Sequence, residues 1–228
     1  NKKLSNHVPH AKLSGKIWND DMTMKKEIRD KLLDISDSFT DYIGIPLDVL
    51  DVTVTGSYAN YNYTNYSDID LHIVIEFADI NDNEELVEGF MTAKRSYWND
   101  KYDITVEGIE VELYPQNIDE PHESSGVYSI VKNEWVIKPQ RYAKDPNLKS
   151  AKKKANMLKR EIKSAIKSKN LKEIERIIEK IKNMRKSGLE KSGEMSTENI
   201  AYKLLRAEDL IQDLFDSKFK AYSDSLSI

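Results

Sequence analysis

The stretch from Val54 to Glu76, VTGSYANYNYTNYSDIDLHIVIE, constrains this chain more than any other. An apolar strand ends at Gly56-Ser57, a polar, tyrosine-rich connection follows, and a second strand begins that carries Asp68 and Asp70. Side chains at i and i+2 of a strand share a face, with Cα atoms about 6–7 Å apart. Asp68 and Asp70 therefore stand side by side, while Ile69, Leu71, Ile73 and Ile75 fall on the other face and are expected in the core. Two like charges fixed on a packed strand are unfavourable unless a cation lies between them. Mg²⁺ suits such a pair, because this hard ion takes one or two carboxylates together with phosphate oxygens and water.

Gly56 adds the other half of a site. Without a Cβ it reaches backbone angles closed to other residues and lets a ligand approach the main chain. Ser57 offers a hydroxyl and a backbone N–H to an anion such as a triphosphate, and a helical turn starting there would add further N–H groups. A phosphate cradle and a metal-binding carboxylate pair on neighbouring strands describe a site for phosphoryl or nucleotidyl transfer.

Gly56-Ser57, ten intervening residues and then Asp68-Ile69-Asp70-Leu71 resemble the GS…DxD signature of the DNA polymerase beta-like nucleotidyltransferase superfamily. The resemblance covers roughly residues 20–140 and also extends to minimal, phage-encoded members. It implies a third acid on a later strand, followed by an apolar residue and often a proline. In Ile109-Glu110-Val111-Glu112-Leu113-Tyr114-Pro115 that position falls on Glu112, where the family more often has Asp. Glu110, on the same strand face, is the alternative. The resemblance implies an enzyme that moves a nucleoside monophosphate from an NTP to an acceptor hydroxyl. Asp68, Asp70 and Glu112 would hold two Mg²⁺ or Mn²⁺ ions, and Gly56 and Ser57 would hold the β- and γ-phosphates. Lys203 is a further candidate for the triphosphate. The acceptor stays open between an RNA 3′ end, a protein side chain (as in small toxin-type members), a small molecule and a second nucleotide. A catalytically inactive nucleotide- or nucleic-acid-binding module of the same fold is the alternative.

Composition sets the limits. No run approaches the 18–20 apolar residues of a membrane span, so no membrane partner is expected. The N-terminal residues show no signal-peptide pattern, and the chain does not open on Met, as expected of a trimmed chain or a piece of a longer one. The absence of cysteine excludes disulfides and thiolate metal sites and agrees with a cytoplasmic protein. The four histidines, 7, 10, 72 and 122, show no metal-ligand spacing.

The net charge of −4 hides an asymmetry. Residues 141–228 carry 22 Lys+Arg against 13 Asp+Glu, whereas residues 1–140 carry 13 against 26. Such a split favours two modules and a polyanionic ligand for the basic one. The expected division is a transferase core with an N-terminal arm and helix over 1–140, and a basic helical domain over 141–228.

Periodicity supplies the elements. The expected fold is α+β: a small mixed sheet flanked by helices, followed by a helical bundle. An irregular arm anchored by Trp18 precedes an amphipathic helix from Met22 to Ile43, closed by Gly44 and Pro46. Strand 49–55 leads into the Gly-Ser break. A helix over 83–98 turns Leu86, Val87, Phe90, Met91 and Ala93 inward, with Tyr97 and Trp98 as packing residues. Strands 104–106 and 109–114 flank Gly108, and 127–131 pairs with 135–137 across Lys132-Asn133. Beyond Pro146, one helix carries an apolar stripe from Leu148 to Ala165, with Lys152, Lys153, Lys159, Arg160 and Lys163 largely off it. These are the residues expected to meet RNA or another polyanion. Asn170 and Glu173 resemble a capping box opening a helix to Lys186, with Gly188 and Gly193 in a loop beyond it. A last helix, capped by Ser196 or Thr197, carries Ile200 to Phe215.

Overall fold

The computed structural model describes residues 9–122, 124–141 and 146–227. They divide into two compact units, one from Pro9 to Arg141 and a second after it.

The first unit opens with an arm in which Trp18 is buried and bridges Met24. That bridge closes a tight loop over residues 18–24, in which Met22 takes a φ of 67°, so helix α1 runs Lys26–Ile43 rather than from Met22. It buries Ile28, Leu32, Ile35, Phe39 and Ile43 along one stripe and stops at Gly44, whose φ of 79° is the left-handed end typical of glycine. Strands follow as β1 (Val49–Thr55), β2 (Ile69–Ile75), β3 (Thr105–Val106), β4 (Ile109–Asn117), β5 (Val127–Ser129) and β6 (Glu134–Ile137). They form one sheet in the order β3-β4-β2-β1-β5-β6. Among the described residues only the β2–β4 pair is parallel. A parallel pair needs a crossover, and helix α2 (Glu84–Lys101) supplies it.

Asn83 caps α2, its side chain accepting from Leu86 N–H. Val87, Met91 and Trp98 are buried, but Leu86 is 61% and Phe90 36% exposed, and Ala93 is exposed too. Those three were expected inward. The buried stripe is narrower because α2 also uses a polar residue to cover the edge of β4. Asn99 donates to the Leu113 carbonyl at 3.0 Å and accepts from Leu113 N–H at 3.1 Å, acting as a missing strand partner. The β3–β4 hairpin turns on Glu107 and Gly108, both at positive φ, as a two-residue mirror-image turn requires.

The second unit contains α3 (Leu148–Ser168), α4 (Leu171–Ser192), α5 (Thr197–Arg206) and α6 (Leu210–Leu226). Their apolar stripes, including Leu158, Ile162, Ile177, Ile181, Ile200 and Leu214, form one core. Asn170 accepts from Glu173 N–H and Ser196 from Asn199 N–H, so both expected caps form. Two boundaries differ from the sequence reading. Helix α4 continues through Gly188 to Ser192, because a side chain at 188 would meet Glu198 Cβ at 2.4 Å: the glycine lets the start of α5 approach. The last helix is two helices, parted at Asp209, which takes a left-handed φ of 60°. Among the described residues no helix is long and apolar enough to cross a membrane.

Candidate active site

The sheet presents an apolar face and a polar one. Residues paired directly across strands share a face. Ile69, Leu71, Ile73 and Ile75 are buried on the first, together with Val52 and Val54 of β1 and Val111 and Leu113 of β4. The other face carries three polar rows. Thr55, Asp70 and Glu112 form one row across β1, β2 and β4; Thr53, His72 and Tyr114 form the next; Asp51, Val74 and Gln116 form the third.

Glu112 is thus the Cα partner of Asp70 on the neighbouring parallel strand, at the strand spacing of about 4.8 Å. Asp68 lies one residue ahead of β2, half-buried, and its charge helps to raise the Tyr58 hydroxyl pKa, after burial and Tyr63. Glu112 is exposed and Asp70 half-buried. Glu110 pairs with Thr105 at the β3 edge and is exposed. Lys203 is half-buried in the last turn of α5, in the second unit.

Gly56 ends β1 with φ 69° and ψ −154°, outside the regions open to other residues. A Cβ at this position would stand 1.7 Å from Asp70 Oδ2, so the Gly-Ser bend and the second acid are in close contact. Ser57 starts a single 3-10 turn, Ser57–Ala59. The turn is held from the β5 side. Gly56 N–H donates to Ser124 Oγ at 3.2 Å, Asn60 Nδ2 donates to Ser125 Oγ at 3.0 Å, and Gly126 lies so close to the Ala59 carbonyl that a Cβ there would sit 2.0 Å from its oxygen.

A half-buried histidine joins the three strands, which sequence reasoning missed. Gln116 Nε2 donates to the Glu120 carbonyl at 3.0 Å, which turns its Oε1 toward the ring of His72. His72 Nδ1–H therefore donates to Gln116 at 2.8 Å, and Nε2 accepts from Thr55 Oγ1 at 3.0 Å. Burial lowers the His72 pKa to about 4, so the ring is neutral at physiological pH. The sequence clue was its position two residues past Asp70, on the same face; its partners become visible only once β1 and β4 flank β2.

Asp68, Asp70 and Glu112 offer only oxygen donors, the chemistry of a hard divalent ion. Among the described residues no group of three or more His, Cys, Asp or Glu is drawn together closely enough to hold a metal by itself. The donors still fit Mg²⁺, which needs only one or two carboxylates when triphosphate oxygens and water complete its shell. A separate cavity of about 410 Å³ lies between α2 and the end of β4, lined by Tyr114, Arg95 and five carboxylates that include Glu84, Glu88 and Glu120. That charge repels a triphosphate.

In the second unit, Lys152, Lys153, Arg160 and Lys163 are exposed as expected, but Lys159 is not available in the same way: it is ion-paired with Glu208.

A polar row of acids beside a glycine-serine bend, on a mixed sheet with one parallel pair, is the arrangement of a nucleotidyltransferase core. Residues 28–137 match the family described as Nucleotidyltransferase domain. Among solved structures, the chain is similar to a STING-associated CdnE c-di-GMP synthase from Capnocytophaga granulosa, at 14% identity over 88% of this chain and 84% of that one. The TM-score is 0.25, too low to bear on function. No curated protein matches the chain.

Proposed function

We propose that the first unit is an active, metal-dependent nucleotidyltransferase, which moves a nucleoside monophosphate from an NTP to an acceptor hydroxyl. The observation that carries this reading is the row Thr55–Asp70–Glu112, with Gly56 packed against Asp70. Gly56 lets the bend pack directly against the Asp70 carboxylate, and Gly56 and Ser57 would hold the β- and γ-phosphates, Ser57 through its hydroxyl. Asp68 and Asp70, with Glu112 beside them, would hold Mg²⁺ or Mn²⁺. When bound, such ions neutralise phosphate charge and lower the pKa of the acceptor hydroxyl. The acceptor oxygen forms a bond to the α-phosphorus, the bond from that phosphorus to the bridging oxygen breaks, and pyrophosphate leaves with the electron pair. The hydroxyl proton is lost to solvent.

The test is incubation with Mg²⁺ or Mn²⁺ and each labelled NTP, with RNA, protein and small-molecule acceptors. Transfer that disappears in Asp68→Ala/Asp70→Ala, with the fold intact, supports the reading. No transfer under any combination by folded protein contradicts it.

The second reading, an inactive binding module, is favoured by Glu in place of Asp at position 112 and by the lack, among the described residues, of an assembled three-acid group. Calorimetry separates the two: the enzyme binds NTP only with the metal, whereas the inactive module binds it equally well in EDTA. For the acceptor, the basic second unit favours RNA or another polyanion.

A further inference from the structure

Helix α3 contains eight Lys or Arg residues and one acid, Glu161. At 3.6 residues per turn they sort into two groups. Three charged residues on its flanks are engaged within the bundle: Lys154 with Glu198, Lys159 with Glu208, and Glu161 with Lys180 at 2.6 Å. The other six, Lys149, Lys152, Lys153, Arg160, Lys163 and Lys167, fall within about 60° of one line along the helix, opposite the buried Ala151, Ala155, Leu158, Ile162 and Ala165. All six are exposed, and among the described residues none of them makes an ion pair. The stripe is about 27 Å long at 1.5 Å per residue.

A solvated face does not need this sorting. Like charges three or four residues apart, as in Lys149–Lys153, Arg160–Lys163 and Lys163–Lys167, destabilise a helix. Interspersed acids would relieve that repulsion, and none lies on the stripe. A linear polyanion relieves it in another way, since each cation that meets a phosphate releases a condensed counterion. No aromatic residue lies on α3, so no base-stacking platform accompanies the charges.

We infer that the outer face of α3 is a docking surface for the phosphodiester backbone of a polynucleotide, bound without regard to sequence. This inference deepens the acceptor part of the reading above and rests on it only there: docking requires neither NTP nor metal.

The experiment uses the full chain and fluorescence anisotropy with labelled 20-mers, as single-stranded RNA, duplex RNA and duplex DNA, in EDTA from 50 to 300 mM salt. Binding should weaken linearly on a log–log plot, with a slope of roughly −4.5 to −5.5 for duplex and −3.5 to −4 for single strand if five or six phosphates are met. Lys153→Glu/Arg160→Glu/Lys163→Glu should weaken binding at least tenfold and flatten the slope by about 2–3. Lys172→Glu/Lys182→Glu/Lys186→Glu on α4, with the same change in net charge, should leave both nearly unchanged. Asp70→Asn should end transfer and leave docking intact, so failure of one reading is distinguishable from failure of the other. No salt-dependent binding at 50 mM, or equal losses in the two triple variants, would overturn the inference. Binding of polyglutamate or anionic vesicles as tight as that of RNA, and equally lost in the α3 variant, would overturn the assignment to nucleic acid. Far-UV dichroism establishes that each variant is folded.

Discussion

The Asp70 carboxylate fills the space in which a side chain at residue 56 would begin, with Oδ2 1.7 Å from the position of a Cβ on Gly56. The bend that would hold phosphate and the acid that would hold metal therefore share one volume. Neither can be altered without the other responding.

Gly56→Ala should be strongly destabilising, because it combines this clash with backbone strain of about 1–3 kcal/mol at φ 69°. In an Asp70→Ala background the clash is gone and only the strain remains. Denaturant unfolding of the four proteins in the cycle should give a coupling of at least about 1 kcal/mol. Additive effects would show that the two residues are not in contact.

His72 supplies a pH dependence. Its folded pKa is about 4, against an ordinary 6.5, through burial. Between those values the unfolded chain binds a proton that the folded chain does not, so stability falls as pH falls. The contribution is complete above pH 6.5, and about 2 kcal/mol of it is lost by pH 5. Glu198, held below its ordinary 4.5 by the hydrogen bond from Lys154, acts only at lower pH and leaves this window clear. Urea melts in EDTA at pH 7 and pH 5 should show the loss in the parent and much less of it in His72→Gln. An equal slope in both would contradict the half-buried neutral ring.

Gly188 should tolerate nothing larger. Alanine there would press on Glu198 Cβ at 2.4 Å and Ser196 Oγ at 2.9 Å, pushing α5 away from α4. We expect a loss of about 1–3 kcal/mol in the second unit, despite the higher helix propensity of alanine. A gain in melting temperature would show that the two helices separate easily at this point.

The strands, the Gly-Ser bend and the placement of the acids on strands were legible because each has a local signature: alternation, a residue with special backbone freedom, and charge inside apolar runs. The relative positions of Glu110 and Glu112 were less so, since both lie on one face of β4. Only the parallel register, which pairs Asp70 with Glu112, separates them. The His72 network was illegible because Thr55 and Gln116 reach it from two other strands. The orientation of α2 was misread because hydrophobicity cannot anticipate that Asn99 is spent on the backbone of Leu113. Gly188 read as a loop because glycine disfavours helices, and its true role depends on a helix that arrives later in the chain.

The central claim is that Asp68, Asp70 and Glu112 receive the metal–triphosphate complex beside Gly56. Anomalous diffraction from crystals grown with Mn²⁺ and a non-hydrolysable NTP tests it most directly. An Mn²⁺ peak bonded to Asp68 or Asp70 on the Glu112 side is expected, with the triphosphate against Gly56-Ser57. A nucleotide and metal bound elsewhere, with these three carboxylates free of both, would contradict it.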